Sequence, residues 1–469
     1  MINVLDRPSI ILEEIEIDYN PTVGESKDLD YNTEQIGKYP YVYLDGAIIE
    51  SKDVKKLIIF NDKIIPSIEI EFADPTSKIV DEKYPLDDSI ISIFINATDD
   101  NLMAIRMDFK ITEFYTIKGR ENDDTLIFRS IAVLNIDGLY LLDYESHEGA
   151  SFQVLRNISK ELGLGYSSNI SSTNDSMVWV NNADYKYLFI NDIVKHSYIS
   201  DDTFLFGYID FYYNFNYVDI ETALQEDISE QTQVTDRTKA IKDGESQITP
   251  LVLTNHPDKN STNLFISQYT VDNKSTKINL EYGYNHKVSI YNKTEDKYNG
   301  FLLDTISDTG SDGNKIIMKG NGKKESGLYN DQIKGTWMGK MDLDNVHDNY
   351  LYSEIQNSNN LMFLQKLKMV IRLKKPNFNL FRFQKILMEL YNLGKMDKDT
   401  RRGDQNDRKN RKDVDGKDYK EYDNNIINKL SGEWLITAIN YTFDKKEGNI
   451  QEVTLIKREL TNEYIFKRK

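Results

Sequence analysis

No cysteine occurs anywhere in the sequence. That removes disulfides, thiolate zinc sites and a cysteine nucleophile, and leaves packing or assembly to supply stability. Histidine is scarce: His147, His196, His256, His286 and His347 are each solitary in sequence, so no metal-ligand spacing is legible. Positive charge is in the minority, with 58 Lys+Arg against 76 Asp+Glu and a net charge of -18. Such a balance disfavours phosphate neutralisation as a mode of binding, and tight nucleic-acid binding is not expected. The first twenty residues lack a basic region followed by an apolar core, and no run of about 18 apolar residues follows. The expectation is a soluble protein with no secretion signal and no membrane segment.

Catalytic signatures are missing as well. No Gly-x-Ser-x-Gly elbow is present. "KGNGKKES" has its leading glycine at the wrong offset for a phosphate cradle, and no Ser or Thr follows the lysine directly. "KDVDGKDYKE" would put Arg411 in the first ligand position of a calcium loop, and its last Glu is wrongly spaced. Asp and Glu are so abundant that any pair suited to glycoside hydrolysis is uninformative. The residues therefore assign no catalytic group, no metal and no cofactor, and a non-enzymatic protein is expected.

What is present is β-pattern. At 469 residues and 39% hydrophobic the chain suits three or four domains. From Ile65, Ile68, Ile70 and Phe72 alternate with Ser67, Glu69 and Glu71 up to a turn at Asp74-Pro75. In "SIISIFINATDDNLMAIRMDFKITEF", Met103, Ile105, Met107, Phe109 and Ile111 face one way and Arg106, Asp108 and Lys110 the other. "TLIFRSIAVLNIDG" continues the pattern, so residues 1–145 read as an antiparallel sheet domain with one apolar and one polar face.

From Ser146 the period changes. Phe152, Leu155, Ile158 and Leu162 recur at helical spacing, with Gly163 as a C-terminal stop. A second helix is expected from Asp184, as N-cap, through "YKYLFINDIVKH". Then "TFLFGYIDFYYNFNYVDI" reads as one strand buried on two sides. Residues 146–222 thus form a mixed α/β block. Glu221 to Gly244 is a linker or an exposed helix. New strands are expected at "ITPLVLTN", "NLFISQYTV", "KVSIYN" and "FLLDTIS", with flexible loops at "DTGSDGNK" and "KGNGKKESG". A helix around "YLYSEIQNSNNLMFLQ" precedes strands at "KLKMVIRLK" and "FNLFRFQKILMELY". Residues 395–423 hold ten Lys/Arg and nine Asp/Glu and almost nothing to bury. The closing "SGEWLITAINYTFDKKEGNIQEVTLIKREL" is a hairpin. Trp179, Trp337 and Trp434 each sit beside a turn or strand, where buried anchors are commoner than stacking platforms.

That last segment resembles the closing segment of hub and tail proteins of contractile-tailed bacteriophages, through Ser431, Gly432 and Trp434 and, after Gln451, Lys457, Arg458 and Glu459. The stretch from Ala150 to Glu221 is similar to the corresponding part of the T-even-type baseplate hub, and "KGTWMGKMDLDNVHDNYLYSEIQNSNN" to the start of that family's second tube-like domain. The likeness runs from about Pro66 onward. It implies a mainly β fold with α+β insertions: two tail-tube-like antiparallel β-barrel or sandwich modules plus a mixed middle domain. The first module is 1–145, the middle domain 146–222. The second begins at 223–275 and resumes at 331–469 with a charged insertion at 395–423, while 276–330 is expected to join the middle domain.

The resemblance further implies a homotrimeric hub in the virion tail baseplate, assembled in the host cytoplasm. It would adapt a six-fold tail tube to a three-fold central spike, with baseplate wedge or peripheral hub proteins around it and DNA passing without specific binding. Arg106, Asp108 and Lys110 would then face the lumen or a neighbour, and Trp337 and Trp434 would be structural anchors. A type VI secretion-like injection hub would share the fold and the conduit role and is the alternative. A carbohydrate-binding or degrading tail protein is the competing class, with tyrosine-rich strands as a sugar platform.

Overall fold

The computed structural model describes residues 2–12, 40–75, 77–82, 84–85, 87–95, 105–118, 125–200, 202–226, 252–260, 262–274, 285–292, 297–304, 306–308, 315–317, 333–341, 346–378, 380–392, 426–427, 429–445 and 448–457. The expected loops at "DTGSDGNK" and "KGNGKKESG" and the charged insertion 395–423 lie largely or wholly outside them.

The alternating sequences form strands as their period requires. In chain order these are β1 (Asn3–Asp6), β2 (Tyr41–Leu44), β3 (Ala47–Ile49), β4 (Val54–Asn61), β5 (Ser67–Asp74), β6 (Ile90–Ile95), β7 (Ile105–Lys118), β8 (Leu126–Leu134) and β9 (Leu142–Gly149), with a short helix α1 (Lys78–Glu82) after β5. The middle block supplies α2 (Ser151–Glu161), β10 (Gly165–Ser168), β11 (Met177–Tyr185), α3 (Lys186–His196), β12 (Leu205–Ile209), β13 (Asn214–Asp219) and α4 (Ile220–Gln225). Beyond it come β14 (Val252–Thr254), β15 (Ile266–Asn273), β16 (Asn285–Asn292), β17 (Lys297–Asp304), β18 (Ile306–Asp308), β19 (Lys315–Ile317), β20 (Ile333–Met341), α5 (Tyr350–Leu364), β21 (Leu367–Leu373), β22 (Lys385–Glu389), β23 (Gly432–Asp444) and β24 (Gly448–Ile456).

Thirteen of these strands share one sheet, whose main path runs β15-β21-β24-β23-β4-β5-β8-β7-β6-β2-β3, with β22 on β23 and β14 on β22. Strands from residues 41–134 therefore occupy one side of the sheet and strands from 252–456 the other. They meet where β23 pairs antiparallel with β4, from Ile439↔Asn61 to Asp444↔Lys56. The burial follows the pleat: Ile68, Ile70 and Phe72 of β5, Met107 and Phe109 of β7, and Met369, Ile371 and Leu373 of β21 are fully buried. Helix α5 stands where the sequence places it, immediately before β21.

The middle block builds a separate four-stranded sheet, β1-β10-β13-β12, in which β10 and β13 run parallel. Strand β1 belongs here and not to the large sheet, pairing Asn3↔Ser168. The residue-145 boundary falls inside β9, which makes a two-stranded ribbon with β11. Strands β16, β17 and β20 form their own sheet, and none of the three pairs with a middle-block strand among the described residues.

Local chemistry explains the helix ends. Gly163, at φ 72°, ends α2 in a Schellman arrangement: Leu164 N donates to Ser159 O (2.8 Å) and Gly163 N to Lys160 O (3.1 Å). Its start lacks a local cap. Instead the buried Asp175 accepts from Ser151 N (2.9 Å) and Ser151 Oγ (2.6 Å), and Thr173 Oγ1 accepts from Phe152 N (3.1 Å). Asp184 is not the N-cap of α3; that position is Tyr185, without a side-chain cap, because Asp184 is held in the β11 bulge by Asn181 Oδ1, which accepts its amide at 3.0 Å. The expected single strand "TFLFGYIDFYYNFNYVDI" is a hairpin, β12 and β13. Its turn is tied by Asp210, whose carboxylate accepts from Tyr212 N (2.9 Å), Asn214 N (3.0 Å) and Asn216 Nδ2 (3.0 Å), with Tyr213 at φ 59°.

Candidate functional site: the sheet wall and its junction

The face of the large sheet opposite its buried side chains carries an unbroken ladder across the meeting of the two halves. Reading strand to strand from β15 to β6, the partners are Gln268, Arg372, Glu452, Asn440, Phe60, Ser67, Val133, Lys110 and Ile90. None of the nine is buried. A one-residue slip at β23–β4 would turn this row inward, so the pleat holds the two halves in one register. Opposite charges sit on the same face: Arg372 Nε is 2.6 Å from Glu452 Oε1, and Arg129 Nη2 2.5 Å from Glu69 Oε1. Each such exposed pair contributes well under ~1 kcal/mol and fixes alignment more than stability.

Of the three polar β7 residues singled out in the sequence, Lys110 lies in this ladder and pairs with Asp88. Arg106 and Asp108 pair with each other at 3.1 Å. Asp108 is buried, and its backbone N–H donates to the Tyr213 hydroxyl (2.9 Å), so the β12–β13 turn covers that end of β7. Trp434 is fully buried in β23, its Nε1 donating to Leu430 O at 3.0 Å and Lys457 lying over its ring at 5.7 Å. Burial lowers the Lys457 pKa. Trp337 sits opposite Val288 in the β16–β20 pairing, and its side chain is outside the described residues. Trp179 is likewise buried, donating to Gly149 O (2.9 Å).

One residue that pattern reading missed joins three parts of the chain. Arg382, fully buried, donates from Nε to Thr437 O (2.6 Å), from Nη1 to Lys63 O (2.5 Å) and from Nη2 to Asp62 O (3.4 Å). Thr437 O is available because the β23–β24 register shifts between Ile436 and Ala438. The guanidinium also lies 4.5 Å from the centre of the Tyr208 ring, whose hydroxyl donates to Arg382 O at 3.1 Å. Burial lowers its pKa to about 10, which leaves it charged at neutral pH. The β4–β5 turn, β23 and the middle block thus converge on one cation. The only sequence signal was a lone arginine in "FNLFRFQ".

A second fastening lies between α5 and the end of α3. Asn357 Nδ2 donates to Lys195 O and Ser197 O (both 2.9 Å), Ser353 Oγ to His196 O (2.7 Å) and His347 Nε2 to the same oxygen (2.9 Å). His196 is buried, stacked on Tyr350 at 3.9 Å, and lies 3.3 Å from Asp192 and 3.5 Å from Glu354. Burial opposes its charge, but the hydrogen bonds to Asp192 and Glu354 outweigh it and raise the pKa to about 9. Burial lowers that of His347.

One further cluster of ionisable side chains stands out among the described residues, and a cation already occupies its middle. Glu145, His147 and Glu161 approach metal-ligand geometry, with donor atoms within 4.8 Å, but the Lys186 ammonium stands among them, 2.9 Å from Glu145 and 3.6 Å from Glu161. An open depression of about 620 Å³ beside β15 is lined by Asn255, Ser267, Tyr269, Thr270 and Tyr391 among others, and no acid, base or cation lines it among the described residues. Of the tyrosines in "FGYIDFYYNFNY", Tyr208, Tyr213 and Tyr217 are buried and Tyr212 is half-buried, whereas Tyr41, Tyr84, Tyr115, Tyr144 and Tyr185 elsewhere in the chain are exposed.

No family model matches the chain, and no curated protein matches it. Solved structures with a similar trace include a tail protein from Neisseria meningitidis MC58, at 7% identity over 90% of this chain and 97% of that one, with a TM-score of 0.47. A 43 kDa tail protein of prophage MuSo2 from Shewanella oneidensis is 9% identical over 90% and 97%, at 0.46. An E. coli component of the type VI secretion system, described as structurally similar to T4 bacteriophage tail proteins, is 9% identical over 89% and 77%, at 0.39. At these values the likeness is weak.

Proposed function

We propose that this chain is a structural hub of a contractile bacteriophage tail baseplate, a homotrimer that adapts the six-fold tail tube to the three-fold central spike and lines part of the DNA conduit. The observation that carries the reading is the nine-residue ladder running across the β4–β23 junction. A tube wall needs side chains of one face in continuous register, and a chain that must look like two neighbouring tube subunits needs two sheet halves joined edge to edge without a step. Strands from 41–134 and from 252–456 stand in that relation, and they are read as the two tube-like modules. The middle block, held by Arg382 and by the α3–α5 fastening, fixes the angle between them.

In this reading Lys110 and the rest of the ladder face the lumen or a neighbouring subunit, the net charge of -18 keeps DNA from adhering, and the chain itself catalyses nothing. Its partners are the tail tube protein, the spike and the wedge or peripheral hub proteins. The test is light scattering on the purified protein. A trimer is expected, three times 54.6 kDa. A monomer that hydrolyses peptidoglycan or polysaccharide would overturn the reading.

A further inference from the structure

Two histidines meet where the start of α5 packs on the end of α3, and both lie against Tyr350. His196 stacks on its ring at 3.9 Å, and His347 stands edge-on to it at 5.8 Å, with the Trp179 ring 6.2 Å from His347. The partner of His347 fixes its tautomer. Its Nε2 lies 2.9 Å from His196 O, and a carbonyl only accepts, so Nε2 carries the proton and Nδ1 is the bare nitrogen. His347 is only 9% exposed, and its buried Nδ1 meets no hydrogen-bond partner among the described residues. The two rings are thus built differently: His196 lies between the carboxylates of Asp192 and Glu354, and His347 is held by one carbonyl among aromatic rings.

The charges that act on His347 come from several elements. The end of α3 brings His196, a cation kept by Asp192 and by Glu354 of α5. The segment before β11 brings Asp175, and the residue next in the chain is Asp348. Both Asp175 oxygens are already engaged, by Ser151 and by Tyr198 N, and Asp348 is exposed, where solvent screens it. Burial, with the His196 charge acting in the same direction, outweighs the two aspartates and holds the His347 ring below the ordinary histidine value of 6.5. A proton arriving at Nδ1 creates a buried N–H with no acceptor facing it and sets a second cation beside His196. Leaving the pocket removes both costs.

We propose that the start of α5 is an acid-sensitive latch: a proton on His347 Nδ1 frees residues 346–353 from the end of α3, while Asn357 keeps the rest of the helix in place. The direction follows from the two states of the ring. Released, it titrates near 6.5; latched, it titrates lower, so the latch is at full strength above 6.5 and weakens as pH falls from there towards the latched value. His196 acts at the other end of the scale, in alkali. The latch lies within one copy of the chain and stands whether or not the trimer does.

Hydrogen exchange of the full-length protein, followed by mass spectrometry between pH 7.5 and 5 and corrected for the intrinsic exchange rate, tests it on wild type and on His347→Gln, which keeps a side-chain N–H donor and takes no proton. In the wild type, protection of 346–353 should fall about tenfold for each pH unit between 6.5 and the latched value. Strand β23 should keep its protection, and His347→Gln should show no such fall. Constant protection of 346–353 in the wild type, an equal fall in β23, or the same fall in the variant would overturn the latch. Deuterium exchange at the imidazole carbon between the two nitrogens, read on wild-type His347, gives the titration without any substitution. A midpoint below 6.5 is expected, and one at or above 6.5 would overturn the proposal even if the variant failed to fold.

Discussion

Replacing Arg382 by methionine removes the cation at the three-way junction while keeping much of its volume. The two short hydrogen bonds, to Thr437 O and Lys63 O, are charge-assisted, and such bonds contribute about 1.5–3 kcal/mol each after desolvation. The 3.4 Å bond to Asp62 O adds little. Removing the donor strands two carbonyls next to an apolar side chain, so the loss is about 3–6 kcal/mol, set against a total stability of about 5–15 kcal/mol. Recovering the cost of burying a guanidinium could in principle cancel this, as it does for buried ion pairs replaced as a unit. It does not here, because the backbone carbonyls cannot be replaced along with the arginine. Arg129→Ala, which breaks an exposed pair with Glu69, is the control and should change stability by less than ~1 kcal/mol. Guanidinium unfolding followed by tryptophan fluorescence and circular dichroism reads both. Arg382→Met should lower the midpoint strongly and separate the fluorescence and dichroism transitions, since the parts it joins no longer unfold together. A single transition within ~1 kcal/mol of wild type would refute the junction.

Met107→Asp, at a fully buried position of β7, should cost several kcal/mol and prevent assembly, which size-exclusion chromatography and thermal melting would register; wild-type-like folding would contradict the strand register. Asp175→Ala removes the remote cap of α2 and the acceptor of Tyr198 N, and should destabilise by about 2–4 kcal/mol by denaturant titration, with Asp175→Asn intermediate. The raised pKa of His196 makes stability depend on pH in a definite direction: its contribution is complete below the unfolded value near 6.5 and is lost as pH rises through about 9. Melting temperatures measured between pH 6 and 10 should fall across that window in the wild type and not in His196→Gln; parallel profiles would dismiss the buried cation.

The strands were legible because their period of two survives whatever surrounds them. Met107 and Phe109 are buried and Lys110 points away, as alternation requires. The end of α2 could be read because Gly163 encodes it locally. The β12–β13 turn could not. It contains neither Gly nor Pro, and its reversal depends on one carboxylate, Asp210, gathering amides up to six residues away. The aromatic run around it disguised two strands as one. The junction was hidden for a different reason: β4 and β23 lie hundreds of residues apart, and nothing in either strand states its partner. Arg382 shares that fate, since its role comes from carbonyls that only the folded chain brings together. Asp108 looked like one of three outward polar residues, yet the distant Tyr213 closes over it.

The central claim is that three copies imitate a ring of six. Electron microscopy of the purified protein, with class averages computed without imposed symmetry, tests it directly. The account predicts a closed ring around an open channel, three-fold overall and with six similar lobes in its wall. Single compact particles, or a closed two-fold pair without a channel, would contradict it.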